Sequence, residues 1–138
     1  MTIRPHRAGD SPYLLSLYKE YGQPRASFGP ISNITYVIEM EGILVGFGTI
    51  NFEYRPCPIL GHFVIDKMLP KKDRFRAARM LVRFLLGQLP RHFLVDIEAK
   101  NLYLNKFLVT FFRTKIKLLS VDKYPEGEHN MYLIDKGV

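Results

Sequence analysis

The stretch "PILGHFVIDKMLPKKDRFRAARMLVRFLLGQLPRHFLVDIE" (Pro58–Glu98) decides the fold. It opens on an apolar β-rich run, "PILGHFVID" (58–66), and breaks at Leu69-Pro70. Beyond the break Phe75, Ala78, Leu81, Val82, Leu85 and Leu89 recur at helical spacing. "RHFLVDIE" (91–98) returns to strand composition. Strand, helix and strand in this order predict a parallel pair joined by a right-handed crossover, with the helix laid against a sheet face. Asp73 is the expected N-cap of that helix.

The flanking segments extend the sheet. "TYVIEMEGILVGFGTINFE" (35–53) holds two β-rich runs around Glu41-Gly42, a tight hairpin signal. "TIRPHR" (2–7) suits a short edge strand. Asp10 or Ser11 then caps a helix that tolerates Pro12 in its first turn and carries Leu14, Leu15, Leu17, Tyr18 and Tyr21 on its apolar stripe. "GQPRASFGP" (22–30) reads as an irregular connection. Downstream, "NLYLNKFLVTFF" (101–112) is a helix with Leu104, Phe107, Leu108 and Phe111 on one side. "KIKLLSV" (115–121) and "HNMYLID" (129–135) close a hairpin across "DKYPEGE". The order β-α-β-β-β-α-β-α-β-β places the chain in the α+β class. It predicts a mixed, mostly antiparallel sheet of six to seven strands with a central parallel β-α-β unit, flanked by three to four helices. With no repeat and no Gly/Ser/Pro-rich linker, residues 1–138 read as a single domain.

Composition narrows the function classes. The chain has 138 residues, 47% of them hydrophobic and 24% charged, which suits an ordinary globule with a real core. No apolar run approaches the ~18 residues of a membrane span. The opening "MTIRPHRAGD" lacks the apolar stretch of a signal peptide. Cys57 is the only cysteine, so no internal disulfide forms, and no zinc spacing surrounds it. Between Pro56 and Pro58 it reads as inert. A cytoplasmic protein without a metal and without a membrane partner is expected.

The net charge of +7 favours anionic partners. From Lys71 to Arg91 seven Lys/Arg face the single acid Asp73, and from Lys100 to Lys117 there are five Lys/Arg and no acid. Lys71, Lys72, Arg74, Arg76 and Arg79 crowd a helix start, where the dipole disfavours cations. A phosphate seated on the free N–H groups of that first turn would reconcile them. Lys72, Arg76, Arg79 and Arg83 also form one stripe opposite the apolar face, as a solvated helix surface would.

With these residues in place, the chain resembles the GNAT superfamily of acyl-CoA-dependent N-acyltransferases over nearly its whole length. "EMEGILVGFGTI" is similar to the family's "edGkiVGf" hairpin through Gly42, Val45, Gly46 and Phe47. "HFVIDKMLPKKDRFRAARMLVRFLL" stands where the family has its signature strand, phosphate loop and helix. "NLYLNKFLVTFF" resembles the asparagine-headed helix, with Asn101 and Phe107 in register. The resemblance implies acetyl-CoA as co-substrate and a small-molecule or protein amine as acceptor. Strand 58–66, at Val64 and Ile65, would hold the pantetheine by backbone pairing. The turn and helix start, at Lys72, Arg74, Phe75, Arg76, Ala77 and Ala78, would hold the pyrophosphate, with Asn101 touching the coenzyme or capping its helix. The acceptor would attack the thioester between strands 58–66 and 91–98. Its binding surface would come from segment 22–34 and the closing hairpin.

The sequence departs from the family pattern at defined positions. The loop pattern R/Q-x-x-G-x-G/A has Phe75 or Arg76 where it wants its first glycine, so Arg74 and Arg76 would supply side-chain contacts instead. The family's tyrosine, the usual general acid for the departing thiolate, aligns with Leu108, and its glycine with Phe112. A narrower resemblance joins the chain to short GNAT-like proteins of tailed podophages, through "MTIRP", His62-Phe63-Val64, Lys106–Thr110 and the closing Lys136-Gly137. It implies a branch that kept the fold, in which a virion location and relaxed chemistry are the alternative expectation.

Proton transfer from the amine needs a base. His62 and Asp66 on one strand, and Asp96 and Glu98 on the other, are the titratable candidates, the last two acting through water. Carboxylates at strand ends also serve as solvated caps, and a strand histidine as a half-buried sheet residue. Three functions compete: a small N-acetyltransferase, a catalytically inactive GNAT-like interaction or virion protein, and a nucleic-acid binder. The third lacks any helix-turn-helix, zinc or RNA-binding signature, so specific nucleic-acid binding is not expected. A second copy of the chain is a further candidate partner.

Overall fold

The structure, a computed structural model, describes residues 1–20, 33–54, 56–125 and 127–137. Seven strands and three principal helices follow in the order β1 (Thr2–Pro5), α1 (Ser11–Glu20), β2 (Asn33–Met40), β3 (Ile43–Asn51), β4 (Ile59–Ile65), α2 (Lys71–Gln88), β5 (His92–Glu98), α3 (Leu102–Phe112), β6 (Ile116–Tyr124) and β7 (Gly127–Asp135). Hydrogen bonding runs through the strands in the order β1-β2-β3-β4-β5-β7-β6. The α+β class and the mixed, mostly antiparallel sheet are as the sequence predicts. The chain forms two compact units, Met1–Phe52 with Gly61–Gln88 and Glu53–Leu60 with Leu89–Val138.

In the first unit β1, β2 and β3 pair antiparallel. The β2–β3 turn uses positive φ at both Glu41 (55°) and Gly42 (80°), the backbone of a two-residue hairpin. Alternation along β2 sends Val37 to one face and Tyr36 to the other. Leu14 and Leu17 of α1 pack with Val37, Phe47 and Val64. Across the sheet, Phe84 of α2 meets the Tyr36 ring edge-on at 4.9 Å. Ala77, Leu81 and Leu85 form the buried stripe of α2. β3 and β4 approach closely at Gly46, where a Cβ would lie 2.6 Å from the Val64 carbonyl oxygen.

In the second unit β4 contributes Ile59 and Leu60, which pair in parallel with Leu94 and Val95 of β5. β5 pairs antiparallel with β7, and β7 with β6. Phe93, Val95 and Ile97 alternate inward with Tyr132 and Ile134, and Phe112 of α3 meets Phe93 edge-on at 6.4 Å.

Three boundaries differ from the sequence reading. α2 starts two residues before Asp73, since the Pro70 carbonyl accepts the first helical bond, from the Arg74 N–H at 2.9 Å. Pro70 supplies the carbonyl acceptor for that bond but no side-chain oxygen, so the first-turn N–H groups are left without a side-chain cap from it. On α3 it is Phe112 that is buried and Phe111 that is 47% exposed, a rotation of about one position in the apolar stripe. Residues 122–124 and 127–128 are strand, not loop. Polar residues suit an exposed hairpin end as well as they suit a turn, so composition could not separate them. The irregular connection read over 22–30 lies outside the described residues. Among the described residues no helix is long and apolar enough to cross a membrane.

Candidate functional site

The first unit carries the anion-binding candidates. After β4 the chain turns through Asp66, which is held on every side. Its N–H donates to the Val45 carbonyl at 2.8 Å, and its carbonyl accepts from the Leu69 N–H. Its carboxylate accepts from Tyr13 Oη at 2.6 Å and from the Met68 N–H at 2.9 Å. Asp66, read as a base candidate, is thus the anchor of the turn that aims α2. The N–H groups of Lys71, Lys72 and Asp73, in the first turn, have no intrahelical acceptor. Lys71, Lys72 and Arg76 are exposed around them. Arg74 is half-buried, and its Nε is a fully buried donor without a partner among the described residues. An orphaned guanidinium donor is costly unless an acceptor arrives. Phe75, the bulky residue at the family's glycine position, is 59% exposed and stands out in solvent. Ala77 lies in the core and Ala78 is half-buried. Val64 gives its side chain to the core while its carbonyl faces Gly46, and Ile65 is half-buried. The residues at this helix start therefore fit an anion: free amides, a cationic rim, and a buried donor awaiting an acceptor.

The second unit carries the proton-transfer candidates. Asp96 and Glu98 leave β5 on one face, opposite Met131 and His129 of β7. His129, a residue the sequence reading passed over, lies with Nδ1 3.0 Å from Asp96 Oδ1. Its Nε2 is buried without a partner among the described residues, and the Tyr124 ring meets the imidazole edge-on at 4.8 Å. The signal that could have found it is the β5–β7 register, which sets His129 directly opposite Glu98 and diagonal to Asp96 on the same face. Glu98 sits 3.5 Å from Lys100 Nζ. Glu98, Ala99, Lys100, Gly127 and Glu128 line an open cavity of about 350 Å³.

Asn101 caps α3, its side chain accepting from the Leu104 N–H at 3.1 Å. Asn105, also absent from the sequence reading, ties α3 to the sheet. Its Oδ1 accepts from Tyr132 Oη at 2.7 Å and Asn130 Nδ2 at 2.9 Å, and its Nδ2 donates to the Glu98 carbonyl. Leu108 is buried and supplies no proton. Burial pushes the Cys57 thiol up, away from reactivity. His62 belongs to β4, but its side chain lies outside what is described. Among the described residues no cluster of three His, Cys, Asp or Glu could hold a metal ion.

No protein-family profile matches this sequence, and no curated protein sequence matches it. The architecture does match solved structures. Diaminobutyrate acetyltransferase from Paenibacillus lautus, in complex with L-2,4-diaminobutyric acid and coenzyme A, gives a TM-score of 0.75 at 13% identity, covering 99% of this chain and 95% of that one. An aminoglycoside 6'-N-acetyltransferase complexed with coenzyme A gives 0.67 at 13% identity, covering 99% and 97%. A GNAT-family acetyltransferase from Bacillus cereus gives 0.68 at 12% identity, covering 98% and 96%. Identities this low speak for the backbone alone. This chain has the fold of the GNAT acetyltransferases.

Proposed function

We propose that the chain is a small acyl-CoA-dependent N-acyltransferase, with acetyl-CoA as the acyl donor and an amine as the acceptor. The observation that carries the reading is the buried, unpartnered Arg74 Nε at the start of α2. The coenzyme's phosphates are acceptors of the kind this donor lacks, and the exposed Lys71, Lys72 and Arg76 add charge around them. Side-chain contacts from arginine would add to the first-turn amides, since Phe75 at the family's glycine position stands out in solvent. The bound thioester would supply an activated acyl group with a thiolate leaving group. In the second unit, taken by itself, Asp96 suits the task of fixing the imidazole of His129, and a proton-handling role is inferred for that pair.

Calorimetric titration with acetyl-CoA tests the reading. Micromolar binding is expected, weakened about tenfold or more in R74A/R76A on the ~1.5–3 kcal/mol scale of charged hydrogen bonds. No heat at about millimolar ligand removes the proposal.

A second reading follows from Leu108. With an apolar side chain where the family keeps its thiolate acid, a catalytically inactive GNAT-like interaction protein is the alternative. It predicts no acyl transfer to any amine in a panel, whether or not coenzyme binds.

A further inference from the structure

β6 is the last strand of the sheet order, and its outer edge is unpaired among the described strands. It is nine residues long and exposed almost throughout. Leu118, Leu119 and Val121 are 49%, 46% and 47% exposed, an unusual apolar load for a free edge. Val109 and Phe111 of α3, in the same unit, leave further apolar surface uncovered.

The edge is self-complementary in one register. A β-bulge interrupts the β6–β7 pairing between Leu118 and Ser120. Without it Lys117 and Asp122, five residues apart, would lie on opposite faces. With it, Lys117 lies opposite Leu133 and Asp122 opposite His129, and those two β7 residues, four apart, share a face. Leu118 and Val121, opposite Tyr132 and Asn130, come onto the other face by the same shift. Two β6 strands laid antiparallel with Leu119 against Ser120 then match on both faces. Each Lys117 meets an Asp122, each Leu118 meets a Val121, and each Ile116 meets a Lys123. Centring the pair on Ser120 instead sets Lys117 against Lys123 and Leu118 against Asp122, so a one-residue slip costs both complementarities.

We propose that β6 is a self-association surface, through which two copies of this chain pair antiparallel about the Leu119–Ser120 bulge. The contact is isologous, so every favourable pair occurs twice. The partner is a second copy because the charge and apolar patterns of the strand complement each other under that two-fold.

The test is sedimentation equilibrium of the full chain at about 0.1 M salt, where surface charges are only partly screened. A concentration-dependent dimer is expected for the wild type. K117D or D122K alone sets two like-charged pairs in opposition and should weaken the dimer about tenfold, on the scale of cross-strand pairs counted twice. The double variant K117D/D122K restores complementarity and should recover wild-type association. L118E/V121E should be monomeric with an unchanged far-ultraviolet circular dichroism spectrum. Amides of β6 in the wild type should exchange with deuterium more slowly as concentration rises. A wild type that stays monomeric up to about 0.5 mM overturns the proposal. So does a double variant that associates no better than either single one, or β6 exchange that ignores concentration.

Discussion

His129 Nδ1 stands 3.0 Å from Asp96 Oδ1 across the β5–β7 pairing, while His129 Nε2 is buried with no partner among the described residues. The two ring nitrogens are thereby given different tasks. One is held by a carboxylate, and the other has no partner among the described residues.

Replacing His129 by Gln should therefore lower kcat for acyl transfer by about a hundredfold, the lower range for loss of a general base. KM for acetyl-CoA and its calorimetric affinity should stay within a factor of about two, since the residues proposed to bind the anion lie on α2. Equal activity in H129Q would move the role to Glu98 or Asp96 alone. A merely structural histidine would instead show as a lowered Tm with kcat preserved.

Arg4 donates to both carboxylate oxygens of Asp10 at 2.8 and 2.9 Å, and to Glu39 at 2.6 Å. Asp10 also accepts from the Arg7 N–H at 2.8 Å. The hydrogen bonds from Arg4 hold the Asp10 carboxyl down to about 2. A folded-state value below the unfolded one stabilises the fold above the unfolded value and loses that contribution as pH falls. Stability should thus decline between pH 3.8 and about 2, and D10N should flatten this part of the acid limb in urea titrations. At neutral pH D10A should cost roughly 2–3 kcal/mol by stranding part of the Arg4 guanidinium.

Two glycines should respond oppositely to alanine. At Gly46 the new Cβ would lie 2.6 Å from the Val64 carbonyl oxygen and 2.8 Å from Ile65 Cδ1. Backbone must shift, at about 1–3 kcal/mol or more, and the strand leading to the α2 turn shifts with it. At Gly87, in the last turn of α2, a Cβ meets nothing within 4 Å. G87A should therefore stabilise by about 0.5–1 kcal/mol, through a less flexible unfolded chain and better helix propensity. Thermal denaturation of the two variants checks both signs.

Asn101 supplies the only side-chain cap recorded for α3 among the described residues. N101A should cost about 1 kcal/mol of stability, whereas N101D should retain most of it. If Asn101 also contacts the coenzyme, calorimetry will show weaker acetyl-CoA binding in N101A beyond what its lower Tm explains.

What the sequence determined by itself is the element order and the class of fold, because periodicities of two and 3.6 residues are local properties of the chain. The Glu41-Gly42 turn, the helix after Pro70 (though not its first residues) and the β-α-β unit were legible for that reason. So was the cationic start of α2, since charge needs no coordinates. Three features were decided only by the tertiary structure. The burial of Arg74 Nε depends on how α2 packs, and one sequence cannot say which donor of a cationic cluster is desolvated. The Asp96–His129 pair joins residues 33 positions apart through strand register, which pairing fixes and composition does not. The third is the set of partners around Asp66, one of the titratable candidates, because a carboxylate in a sequence does not show its donors. Only its two donors, Tyr13 Oη and the Met68 N–H, show it holding a turn. Charge, capping and periodicity are written along the chain, whereas desolvation and partner choice arise when distant segments meet.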